Sequence, residues 1–185
     1  MEIDAHIAIQ LKALRGQRGW TLEQLAQASG VSRAMISRIE RQEASATAAL
    51  LSRLCAALDV PLSTLLGASQ PTGMVARKTE RPRWKDPATG FIREVVTPPM
   101  TGSAVEIVEV ELPPLARVNY RLDAPVRYSQ HVIALTGGLR VRQGASHDLQ
   151  SGDTLFMTPE GETSFENMRN QPCRYLVVME RSRTP

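Results

Sequence analysis

Apolar residues recur at helical spacing through the first third of the chain and at strand-like spacing through the rest. Ile7, Leu11 and Leu14 mark the inner face of a helix over His6–Arg18. Leu22, Leu25 and Ala26 line a second, short helix. Met35, Ile36 and Ile39 line a third, and Leu50, Leu51, Leu54 and Leu58 a fourth. Asp59-Val60-Pro61 breaks the fourth, and Leu62–Leu66 makes a last short one. Five helices in about sixty residues are enough for one small core.

The polar residues between these stripes are helix punctuation. Thr21 with Gln24 forms a capping box at the start of the second helix. Gly30 ends that helix where a left-handed residue is needed, Val31 turns inward, and Ser32 caps the third. Thr47 caps the fourth. Two short helices joined by so tight a turn have the layout of a helix-turn-helix, whose second helix enters the DNA major groove. On that second helix Arg33, Ala34, Ser37, Arg38 and Arg41 occupy the outward side.

From Gly67 to Gly73 the chain turns to Gly, Ser, Pro and Thr, the composition of a linker. Beyond it, Arg83–Arg93 reads as a hairpin turning at Asp86–Gly90. Strands follow at Ala104–Leu112, Arg117–Leu122, His131–Leu135, Leu139–Gln143, Thr154–Met157, Thr163–Glu166 and Arg174–Glu180. Short strands at even spacing predict a sandwich or small barrel. The expected domains are therefore 1–66, helical; 67–73, linker; and 74–185, all-β.

Charge refines the picture only slightly. The 185 residues carry 22 Lys+Arg against 19 Asp+Glu, a formal net charge of +3, so no strongly basic tail carries nucleic-acid binding. Residues 67–102 hold most of the excess, six cations against three anions. No apolar stretch approaches the roughly 20 residues of a membrane helix. The start, Met-Glu-Ile-Asp-Ala-His, does not read as a signal peptide, and a cytoplasmic protein is expected. Cys55 and Cys173 both fall in apolar settings and read as buried thiols.

Residues 5–66 resemble the XRE, or lambda-repressor-like, DNA-binding domain. The matching stretches are Leu11–Arg15, Arg18–Leu22, Leu25-Ala26, Gly30–Ser32, Ser37–Arg41 and Ala57–Leu62. The resemblance implies that Arg33 and Ala34 meet base edges, and an Arg at the start of a recognition helix suits the O6/N7 edge of guanine. It implies that Thr21, Ser32, Ser37, Arg38 and Arg41 sit on the DNA-facing side, with Thr21, Ser32, Ser37 and Arg38 positioning the phosphate backbone. It also implies an ion pair between Arg15 and Glu40 that ties the first helix to the recognition helix. The chain departs from the family after that helix, where Gln42 and Ala46 stand in place of the usual Gly and Pro.

The second domain resembles a cupin, a double-stranded β-helix or jelly-roll barrel. Val132–Leu139 is similar to the end of the first cupin motif and Gly152–Gly161 to the start of the second. A metal-binding cupin supplies two His and a Glu from the first motif and a His from the second. Here the Glu position holds Gln130, the paired His positions fall around Asp123–Val126, and the last falls on Thr163 or Ser164. An amide and hydroxyls are poor ligands for zinc, iron or manganese, so neither a metal nor another cofactor is expected. Strand alternation turns His131 away from Gln130, and His147 falls in a polar loop.

Small barrels hold one modest ligand. Arg117, Arg121, Arg127, Arg140 and Arg142 are scattered along the strands with Tyr128; Arg140 and Arg142 share one face, which suits an anion if it is inward and is simply solvated, the favoured case, if outward, and the expected effector pocket comprises Tyr120, Gln130, Arg140 and Ser164. The expectation is a two-domain, non-enzymatic transcriptional regulator: a homodimer that binds a double-stranded DNA operator and whose barrel binds a small-molecule effector, serves dimerisation, or both. The alternative is a metal-dependent cupin enzyme of the oxygenase or epoxidase type carrying a helix-turn-helix.

Overall fold

The computed structural model describes residues 2–60, 62–66, 75–97, 103–122 and 128–181. The chain forms two compact units, Met1–Ala68 and Ser69–Pro185. The stretch expected as a linker, 67–73, lies outside the described residues, as do Asp123–Val126 and Arg127.

Among the described residues, five helices make the first unit: α1 (Glu2–Gln17), α2 (Leu22–Ser29), α3 (Arg33–Glu40), α4 (Ala48–Ala57) and α5 (Leu62–Leu66). Ile7, Leu11, Leu25, Val31, Ile36, Ile39, Leu51, Leu54, Leu58 and Leu65 form its core, each 2% exposed or less. Helix α1 begins a turn earlier than the apolar stripe indicates, since acidic residues such as Asp4 favour the positive end of a helix. Met35 and Leu14, expected inside, are only half-buried.

Three helices end alike. After α1, α3 and α4 the chain closes with two back-bonds: Trp20 N–H to Arg15 and Gly19 N–H to Gly16, then Glu43 to Arg38 with Gln42 to Ile39, then Val60 to Cys55 with Asp59 to Ala56. Each closure, a Schellman motif, places one residue in the left-handed region. Those residues are Gly19 (φ 65°), Gln42 (φ 61°) and Asp59 (φ 44°).

Among the described residues of the second unit, a 3-10 turn (Lys78–Glu80) precedes ten strands. The hairpin β1 (Arg83–Lys85) and β2 (Ile92–Val95) turns at Asp86–Gly90, where Asp86 Oδ2 accepts from the Thr89 N–H and hydroxyl. Then come β3 (Val105–Leu112), β4 (Arg117–Leu122), β5 (Tyr128–Thr136), β6 (Gly138–Gln143), β7 (Ala145–Gln150), β8 (Thr154–Met157), β9 (Gly161–Asn167) and β10 (Cys173–Arg181). One sheet runs β1-β2-β3-β10-β5-β8 and the other β4-β9-β6-β7. Strands β3 and β10, β4 and β9, β5 and β8, and β6 and β7 are thus paired, the nested order of a jelly roll.

Strand β7 is absent from the sequence reading. Of Ala145–Gln150 only Leu149 is buried, so the segment shows no alternation, and His147 stands exposed on an edge strand rather than in a loop. Between the sheets, Phe165 of the small sheet stacks on Tyr175 of the large one at 5.7 Å, and Tyr120 meets Phe165 edge-on at 5.9 Å.

Candidate nucleic-acid interface and barrel interior

The turn between α2 and α3 is built by its caps. Thr21 Oγ1 accepts from Gln24 N–H at 3.2 Å and Gln24 Oε1 accepts from Thr21 N–H at 2.7 Å, completing the capping box. Gly30 closes α2 at φ 65°, where a Cβ would cost energy. Ser32 Oγ accepts from Met35 N–H at 3.2 Å and so starts α3. The side chain of Ser29, which sequence reasoning passed over, is buried and donates to Leu25 O at 2.6 Å while accepting from Val31 N–H. Together these bonds fix the angle at which α3 leaves the turn.

Helix α3 is held from behind as well. Arg15 grips Glu40 through two parallel bonds, Nε to Oε1 at 2.7 Å and Nη2 to Oε2 at 2.8 Å, and its Nη1 donates to Trp20 O. The hydrogen bond to Glu40 raises the pKa of Arg15 further. Nearby, Arg18 stacks over Trp20 and donates to the Leu58 carbonyl at the end of α4.

The outer side of α3 is left to solvent. Ser32, Arg33, Ala34, Arg38 and Arg41 are exposed, Ser37 is half-exposed, and Thr21 is exposed at the start of α2. Arg33 pairs with Glu23 of α2, both side chains about two-thirds exposed. The own-backbone bond of Glu23, and the charge of Arg33, lower the Glu23 pKa. Arg38 reaches Glu43 O at 3.5 Å, and Arg41 makes a 3.1 Å pair with Glu43. The structure therefore gathers all seven residues expected at DNA on one helix-turn-helix and leaves two of its cations partly engaged by neighbouring carboxylates.

The expected effector pocket does not assemble. Tyr120 and Gln130 face the interior, but Arg140 and Ser164 lie on the opposite face of the small sheet, because Arg140 pairs in register with Glu166 and Asp148, and Ser164 with Asn119 and Arg142. Arg140 makes a two-point pair with Asp148, which lowers the Asp148 pKa. Thr163 faces inward, where its hydroxyl donates to Gln143 Oε1 at 3.0 Å. His131 is exposed and lies 5.0 Å from Phe156, on the face away from buried Gln130. Cys55 and Cys173 are buried thiols, and burial pushes Cys173 up to about 11. No group of three His, Cys, Asp or Glu side chains converges among the described residues.

An inward arginine does exist, on a strand that the pocket reading left out. Arg93 stands in register between Trp84 and Val110, both buried, and so faces the interior. Its side chain is 11% exposed, and it lies 3.7 Å from Glu106, itself 15% exposed. The signal was available: a hairpin turning at Asp86–Gly90 sets Arg93 opposite Trp84.

Residues 11–65 match the helix-turn-helix family HTH_3. The HTH-type transcriptional regulator SutR of Escherichia coli (strain K12) is 48% identical over 64 residues, 35% of this chain and 36% of that protein, so the match spans about a third of the curated relative. A solved HTH_3 family transcriptional regulator from Vibrio cholerae superposes with a TM-score of 0.83 at 25% identity, covering 98% of both chains. No helix among the described residues is long and apolar enough to cross a membrane. The N-terminal unit accordingly carries a helix-turn-helix of the HTH_3 family, on one chain with a unit of jelly-roll strand order.

Proposed function

We propose that this chain is a sequence-specific transcriptional regulator that binds double-stranded DNA and has no enzymatic activity of its own. The observation that carries the reading is the capped, braced α3, whose outward face offers Arg33, Ala34, Ser37, Arg38 and Arg41 with no core role. Arg33 and Ala34, at its first turn, read base edges, with Arg33 exchanging exposed Glu23 for guanine. An exposed pair is worth little, so the exchange is cheap. Ser32, Ser37, Arg38 and Arg41, with Thr21 at the start of α2, hold phosphates and set register.

The jelly-roll unit serves, in this reading, to join two chains and to receive a small effector in the cytoplasm. Two recognition helices then reach half-sites about one helical turn, roughly 34 Å, apart. The effector acts by changing how well the paired domains fit those half-sites, a coupling of about 1–3 kcal/mol. Selection of bound duplexes from a random pool by the purified full chain tests the reading. An enriched inverted repeat with that spacing is expected; a pool indistinguishable from its input overturns it.

A further inference from the structure

The three arginines that α3 turns outward are not equally free. Arg33 pairs through Nε with Glu23 Oε1 on α2, and Arg41 pairs with Glu43 Oε2 at 3.1 Å. Arg38, between them in sequence, donates to the Glu43 carbonyl at 3.5 Å and has no carboxylate partner among the described residues. Both pairs stand open to water and contribute little to stability. The Glu23 carboxylate is nonetheless held in place. It lies in the first turn of α2, at the positive end of the helix, where its own N–H and the Thr21 hydroxyl donate to it. Residues 1–66 carry seven Lys and Arg against six Asp and Glu, so the unit has little net charge with which to hold arbitrary DNA.

Arg33 therefore has a choice of partners on DNA. Carboxylate and phosphate both suit the guanidinium fork, so a phosphate offers little that Glu23 does not already supply. The O6 and N7 acceptors of guanine, met in the groove and away from bulk water, outweigh an exposed pair. On a duplex with no guanine at that position, Arg33 stays with Glu23. We propose that Glu23 is a specificity-determining residue: it holds Arg33 until a guanine edge meets it, and so keeps the base-reading arginine out of sequence-independent phosphate contacts. Those contacts fall to Arg38, the arginine of α3 with no carboxylate beside it. Glu23 acts through Arg33 and touches no base. This role presupposes the regulator reading above and adds to it what suppresses binding to the wrong sequence.

The test uses the full chain and a duplex without G·C pairs, on which Arg33 can meet phosphate but no guanine. Affinity is titrated at several salt concentrations for wild type, Glu23→Gln, Arg33→Ala and the double variant. Glu23→Gln is isosteric and exposed, so folding is not at issue. It is expected to tighten binding to this duplex roughly threefold, the worth of an exposed pair. Its salt dependence should steepen by about one phosphate contact. Arg33→Ala should cancel both gains, because the released arginine carries them. The preference for the selected operator over this duplex should fall in Glu23→Gln. A gain that persists in the double variant would mean that Glu23 merely repels DNA, and overturns the proposal. An unchanged salt dependence in Glu23→Gln overturns it too. A chain that selects an operator yet shows no such gain keeps its regulator role and loses this one; a chain that selects no sequence loses both.

Discussion

The helical unit and the barrel each bring an arginine to a glutamate from a distant element, and the two pairs are used differently. Arg15 spends three N–H groups on protein acceptors, two on Glu40 and one on Trp20 O, with every contact at 2.8 Å or less. Arg93 makes one weak contact to sulfur and a 3.7 Å approach to Glu106. A guanidinium that fixes geometry is saturated by the protein itself. Arg33 and Arg38, exposed on the face of α3, keep donors in hand instead.

The largest expected effect separates the two pairs by double-mutant cycle. Removing Glu40 strands Arg15, 17% exposed, against the core, and Glu40→Ala is expected to destabilise the helical unit by about 3 kcal/mol. The Arg15–Glu40 coupling should account for most of that loss. For Arg93 and Glu106, whose charged atoms lie 3.7 Å apart with no hydrogen bond between them, the same cycle should return a smaller coupling. Equal couplings in denaturant melts of the two cycles break the distinction.

Arg33 and Arg38 sharpen it at the DNA. Arg33→Ala is expected to cost about 1–3 kcal/mol at one base position and to relax preference there. Arg38→Ala should weaken all duplexes alike and lower the salt dependence by about one phosphate contact. Binding titrations against a panel of single-base operator variants, at several salt concentrations, read both. The same loss of specificity from each would show that backbone and base contacts are wrongly sorted.

Tyr120 reports on whether Arg93 sits inside. Burial pushes the Tyr120 phenol up to about 12 from an ordinary 10.0, and the charge of Arg93 works against that rise. A raised folded-state value means stability is intact below pH 10 and is lost as pH climbs toward 12, at up to about 1.4 kcal/mol per pH unit. Buried Tyr175 shifts in the same direction and steepens the same limb. Arg93→Met should move the Tyr120 titration to still higher pH, seen in ultraviolet difference spectra. An unmoved titration would place the guanidinium away from the ring.

These contrasts follow what local sequence can encode. The helix-turn-helix was legible because its determinants lie within a few residues of one another: Thr21 with Gln24, Gly30, then Ser32 with Met35. Arg15–Glu40 spans 25 residues and came only through family likeness. In the barrel, strand positions were readable from alternation, and Leu139-Arg140-Val141-Arg142 favoured an outward Arg140, which its register with Glu166 agrees with. Strand β7 lacked alternation because Ala145 and His147, in register with Gln143 and buried Val141, stand exposed on the edge strand. Arg93 was overlooked because Ile92-Arg93-Glu94-Val95 shows no period, and only its partner Trp84 reveals the inward face.

The smallest effect lies at the helix ends of the first unit. The three helix ends share one closure, yet only Gly19 meets the left-handed position without a side chain. An L-residue there costs about 1–2 kcal/mol, and glycine returns about 0.5–1 of that through the entropy of the unfolded chain. Gln42→Gly should therefore stabilise the helical unit by about 1 kcal/mol. Asp59→Gly should gain less, since aspartate tolerates this region better. Gly19→Ala, with open space around its added Cβ, should lose about 1 kcal/mol from backbone strain alone. Thermal melts of the three variants read the series. A destabilised Gln42→Gly would mean that the glutamine side chain, and not the turn, holds the loop after α3.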